Sequence, residues 1–91
     1  MEKLTATQIK KSLASVPGWK KKGAAITRTF QFKDFPAAIK FVNAIAKPSE
    51  KDYHHPDIDI RWNKVILTLS THDAGGLTAK DFSLAKKFDG L

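Results

Sequence analysis

Apolar residues recur along the chain in two rhythms, one near 3.6 residues and one of two, and their alternation predicts the fold. Thr5-Ala6-Thr7-Gln8 has capping-box spacing, and Ile9, Leu13 and Val16 follow at helical intervals until Pro17-Gly18 ends the run. Trp19 to Lys22 is a short strand candidate, turning at Gly23 into a second strand from about Ala25 to Phe32. Ile26, Phe30 and Phe32 share one face of that strand, and Thr27, Thr29 and Gln31 share the other. Arg28 falls on the apolar face, where periodicity offers no reason for it.

Asp34 suits a helix N-cap, and Pro36 is tolerated in the first turn. Phe35, Ala38, Ile39, Val42, Ile45 and Ala46 then recur at three- and four-residue steps, the clearest amphipathic helix in the chain. Pro48 lacks a backbone donor and predicts a kink or break at Lys47, with a short helical turn resuming through Glu50 to Tyr53. Pro56 ends helical geometry by His55. Ile58, Ile60 and Trp62 alternate in a strand from Asp57 to Trp62, Asn63-Lys64 makes a turn, and Val65 to Ser70 forms the best strand. Gly75-Gly76 allows a tight loop before Thr78 caps a last helix that buries Ala79, Phe82, Ala85 and Phe88. The order α-β-β-α-β-β-α predicts one α+β domain over residues 1–91: a four-stranded antiparallel sheet with three helices packed on one face.

Composition narrows the function classes. A chain of 91 residues with 42% hydrophobic residues can build one core. The absence of cysteine excludes a disulfide framework, a thiolate nucleophile and cysteine-ligated zinc. No signal-like run follows Met1 and no stretch could span a membrane, so a cytoplasmic location is expected. The net charge of +7 raises nucleic acid as a partner. Only Lys10-Lys11 and Lys20-Lys21-Lys22 cluster, however, and arginine occurs only at Arg28 and Arg61, which disfavours that reading.

All three histidines, His54, His55 and His72, lie within 19 residues of one another and near element ends. Imidazole exchanges protons near neutral pH, so the cluster suggests acid–base chemistry. Taken singly, each is more readily read as a solvated histidine at a helix end or in a loop than as a functional one. Adjacent side chains face one pocket only where a helix gives way to extended chain, and Pro56 places such a transition beside His54-His55. Glu50, four residues before His54, would neighbour it if that turn is helical. Asp81 stands three residues after Thr78, where a capping role alone would justify it. A three-histidine metal site is disfavoured because adjacent histidines rarely converge on one ion. Gly75-Gly76 lacks the spacing of a phosphate-binding loop.

Glu50, His54-His55-Pro56, Asn63-Lys64-Val65, Thr71-His72, Gly76-Leu77 and Thr78-Ala79-Lys80-Asp81 together resemble the pattern of the pterin-4a-carbinolamine dehydratase family. Phe41-Val42-Asn43 also fits, whereas Pro48, Ile58 and Ala74 depart from the common pattern. The resemblance implies dehydration of 4a-hydroxytetrahydropterin to quinonoid dihydropterin, without metal or organic cofactor. It implies His54, His55, His72 and Asp81 as catalytic residues, with Glu50, Tyr53, Ser70, Thr71 and Asp73 at the substrate. Within it, His72 would aid departure of the hydroxyl, His54 would take the N5 proton, and His55 would orient the ring. It further implies a homodimer or homotetramer, and a place in pterin recycling for an aromatic amino acid hydroxylase. A non-catalytic role as a dimerisation cofactor or assembly module is the alternative from another class.

Overall fold

The computed structural model describes residues 2–91. Helix α1 (Ala6–Ala14) precedes strands β1 (Lys20–Lys22) and β2 (Ala25–Gln31). Helix α2 (Phe35–Lys51) leads to β3 (Asp57–Arg61) and β4 (Lys64–Leu69), and α3 (Ala79–Asp89) closes the chain after a single 3-10 turn over His72–Ala74. The four strands form one antiparallel sheet in the order β1-β2-β4-β3, with three helices on one face: the expected α+β architecture.

Strand alternation explains the core. Val65, Leu67 and Leu69 of β4 are fully buried beneath the helices, with Ile26 of β2 beside them, while Ile66 and Thr68 on the other face are half-buried. Ala38, Phe41 and Ile45 of α2 and Phe82, Leu84, Ala85 and Phe88 of α3 complete the cluster. Phe41 sits against Phe30 and Phe32, with ring centroids 4.6 and 5.0 Å away. Both predicted capping boxes form, at Thr5/Gln8 and at Thr78/Asp81, and Asp34 caps α2.

Three local expectations need correction. Helix α2 runs unbroken through Pro48 to Lys51. Pro48 falls in the last turn, where the loss of one backbone bond is offset by burial of Ile45 and Ser49 on either side of it. The Ser49 hydroxyl also donates to the Ile45 carbonyl at 2.8 Å. The β3–β4 turn consists of Trp62-Asn63, because Arg61 pairs with Lys64 in the ladder. Trp62 takes φ 51, while Asn63 turns inward and its Nδ2 donates to the Phe32 carbonyl at 2.9 Å. Ala79, expected in the core, is exposed at the start of α3, while Ile58 and Ile60 form the predicted face of β3 and remain 43% and 37% exposed.

Arg28 now has a physical account. Its guanidinium lies 4.4 Å from the centroid of the Phe30 ring and donates to Asp89 at the end of α3 at 2.7 Å. Trp19 Nε1 donates to the same carboxylate oxygen at 2.9 Å. A side chain at Gly18 would collide with this guanidinium, since a Cβ there would sit 2.7 Å from it. The apolar-face position therefore serves as a strap from the sheet to the last turn of α3. Arg28→Ala should lower the unfolding free energy by about 1 kcal/mol in a urea titration, with Arg28→Lys recovering only part of it. An unchanged midpoint for Arg28→Ala would show that the strap is energetically idle.

Candidate active site

The site grows from three chain ends that meet. At the first, α2 stops at Lys51 and the chain reverses through Tyr53, whose φ is 49. Tyr53 N–H donates to the Glu50 carbonyl at 3.2 Å and His54 N–H to the Ser49 carbonyl at 3.1 Å, the paired bonds of a Schellman cap. This reversal turns His54 inward and leaves His55 outside, with side-chain exposures of 11% and 59%. Asp52, just before the reversal, is tied to α3 by Lys87 at 2.8 Å. The Lys87 hydrogen bond holds its carboxyl below the usual range.

At the second end, β4 gives way to Ser70, Thr71 and the 3-10 turn that carries His72 and Asp73. Thr71 N–H donates to the Gly76 carbonyl at 3.0 Å, and Gly76 N–H donates back at 3.3 Å, which closes that loop at its base. At the third end, the N-terminal turn of α3 presents Asp81, fully buried. Asp81 Oδ2 accepts from Thr78 N–H at 2.9 Å and from the Thr71 hydroxyl at 2.8 Å. Its Oδ1 lies 2.5 Å from His54 Nε2. Asp81 is thus both the predicted helix cap and the support of one imidazole.

These ends enclose a cleft of about 470 Å³, lined by His54, His55 and His72 together. Tyr53, Ser70, Thr71 and Asp73 line it as well. A second hollow of about 350 Å³ adjoins it, sharing His55, Ser70 and His72. Of the expected residues, Asp81 does not line the cleft, being fully buried in contact with His54, and neither does Glu50. Glu50 pairs with His55 instead of His54. The helix ends before His54, so the i,i+4 relation was never available. Two residues that sequence reasoning left out, Ala74 and Lys80, line the cleft. Lys80 was hidden inside the Thr78/Asp81 capping box. A lysine in a first helical turn opposes the helix dipole, and that oddity could have flagged it. Among the described residues, no group of three or more His, Cys, Asp or Glu is placed to hold a metal ion.

The family model described as pterin 4 alpha carbinolamine dehydratase matches residues 2–91. The chain belongs to that family. A relative from Thermosynechococcus vestitus, which carries the provisional name pterin-4-alpha-carbinolamine dehydratase, is 48% identical over 99% of this chain and 95% of its own. A relative from Picosynechococcus with the same provisional name is 53% identical over 98% of this chain and 97% of its own. Among solved structures, a transcriptional coactivator/pterin dehydratase from Brucella melitensis superposes with a TM-score of 0.94. It is 37% identical and covers 98% of this chain and 97% of its own. A pterin dehydratase-like protein identified as a RuBisCO assembly factor shares the fold, with a TM-score of 0.64 at 23% identity over 79% of this chain and 83% of its own.

Tyr53 holds an unfavourable backbone for its residue type, with φ 49. A left-handed φ costs a non-glycine residue roughly 1–2 kcal/mol. The ring is 87% exposed, so it regains little by packing. Tyr53→Gly should therefore raise stability by about 1 kcal/mol in thermal or urea unfolding. A lower melting point for the glycine variant would mean that the tyrosine ring contributes packing after all.

Proposed function

We propose that the chain is a hydro-lyase that converts a 4a-hydroxytetrahydropterin to the quinonoid dihydropterin and water. The observation that carries this reading is the convergence of three imidazoles on one cleft, one of them backed by a buried carboxylate. In the reaction the C4a–O bond breaks, and the departing hydroxide takes a proton and leaves as water. N5 loses its proton, and its electron pair forms the C4a=N5 double bond. His72, exposed and with no hydrogen-bond partner for its imidazole among the described residues, is assigned to protonate the leaving hydroxyl. His54 is assigned to accept the N5 proton, because Asp81 holds its Nε2 side and leaves Nδ1 as its other ring nitrogen. His55 and Tyr53, at the rim, orient the ring. The product would re-enter pterin recycling, as for an aromatic amino acid hydroxylase.

Stopped-flow measurement with synthetic 4a-hydroxytetrahydropterin tests the reading directly. General acid and general base each commonly supply about 10² to 10⁴-fold, so His54→Ala and His72→Ala should each lose turnover in that range. Near-wild-type turnover in both variants would sink the assignment. A wild-type protein with no activity would favour the alternative, a dehydratase-like binding module. A pure scaffold has no need of three cleft histidines and a buried aspartate, which is why the enzyme reading is preferred.

We also propose that two copies pair through the free edge of β3. Ile58 and Ile60 stay partly exposed among the described residues, whereas the opposite edge, β1, is three consecutive lysines that discourage pairing. Light scattering on a sizing column should find wild-type dimers or larger, and Ile60→Lys should shift the mass toward the monomer. A monomeric wild-type protein would overturn this.

A further inference from the structure

The buried bonds around Asp81 constrain more than a helix cap. Thr71 Oγ1 lies 2.8 Å from Asp81 Oδ2 and 2.9 Å from Thr78 Oγ1. Thr78 Oγ1 also accepts from Lys80 N–H at 3.3 Å. Each hydroxyl owns one hydrogen, and an ionised carboxylate can only accept. The Thr71 hydrogen therefore goes to Asp81, and the Thr78 hydrogen goes to Thr71. With Thr78 N–H also directed at it, Oδ2 receives two donors whose positions are set by the loop base and the helix start. Oδ1 is left to face His54 Nε2 at 2.5 Å. It too can only accept, so the hydrogen belongs on Nε2 and the lone pair of a neutral imidazole on Nδ1.

We infer that Thr71 is a positioning residue, one that orients the Asp81 carboxylate and thereby holds His54 in its Nε2–H tautomer. This rests on the reading of His54 as the group that accepts the substrate proton. Although Thr71 lines the cleft, its one hydrogen is committed to Asp81 and cannot be offered to a ligand. Its contribution passes through two neighbours. Without the hydroxyl, Oδ2 keeps only the Thr78 N–H, and the Thr78 hydroxyl loses its acceptor. Only the Thr78 N–H then holds the carboxylate's orientation, and its contact with His54 is no longer fixed from the loop side.

Two variants test this with a readout taken on the free protein. Long-range ¹⁵N–¹H NMR of the imidazoles reports which nitrogen carries hydrogen. In the wild type, His54 should give the Nε2–H pattern. Asp81→Asn is the sharper probe. Thr71 and Thr78 both donate at the Oδ2 position, so the amide oxygen should settle there and the NH₂ should face His54. That arrangement forces the imidazole to accept at Nε2 and to carry its hydrogen on Nδ1. Retention of the Nε2–H pattern in Asp81→Asn would overturn the inference, because the amide would then have turned against both donors. Thr71→Val should blur the wild-type pattern and lower kcat by about tenfold or more with KM little changed, and Thr71→Ser should restore both. An unchanged tautomer pattern and kcat in Thr71→Val would equally overturn it. If Thr71→Val fails to fold, Asp81→Asn decides alone. The NMR pattern needs no substrate, so an inactive wild-type protein would refute the dehydratase reading while leaving this result legible.

Discussion

A carboxylate buried without any contact with water is the constraint on which this small structure turns. An isolated charge inside a protein is costly, and it persists only where donors surround it. Asp81 has them from three separate pieces of chain: the Thr78 backbone at the start of α3, the Thr71 hydroxyl past the end of β4, and His54 just past α2. The energetic demand of one group thus dictates that three chain ends meet. The cleft is the space those ends leave between them, and its chemistry follows from the same bonds that close the fold.

That coupling explains why the surrounding elements are held so closely. Helix α3 is fixed near its start by Asp81 and at its last turn by Asp89, which accepts from both Trp19 and Arg28. Between them, Lys87 reaches Asp52 at the C-cap of α2, two residues before His54. The helix that supplies the carboxylate and the turn that supplies the imidazole are therefore tied independently of the His54–Asp81 contact. A short contact between two titrating groups can keep one geometry when its neighbours have already set the distance.

Much of this was legible in the chain. Element order, both capping boxes, the Asp34 cap and the inward faces of β2 and β4 follow from periodicity and cap chemistry, which are local. The failures share a cause: each depended on a partner distant in sequence or on one residue's backbone. Arg28 looked misplaced because Asp89 lies 61 residues away. Glu50 was matched with His54 because helical spacing was extended past Lys51, and the left-handed Tyr53 that ends the helix is not a residue type that announces such a turn. The β3–β4 turn falls one residue earlier than the pattern predicts because Trp62 adopts a φ more usual in glycine or asparagine. Lys80 carries only a weak signal of its own in the sequence, because the Thr78/Asp81 cap around it already accounts for the motif.

The three histidines also divide more sharply than their spacing alone implies. His54 is nearly enclosed and bonded to a buried acid, His55 is exposed beside an exposed acid, and His72 stands free on a 3-10 turn. Three chemically identical side chains on one cleft thus have three different surroundings. A reaction that must give a proton at one atom and take one at another needs such inequality, since identical groups in identical settings would compete for both tasks. What makes the two adjacent ones unequal is the reversal at Tyr53. By reversing the chain there, the fold sends one of two adjacent histidines to Asp81 and the other to solvent.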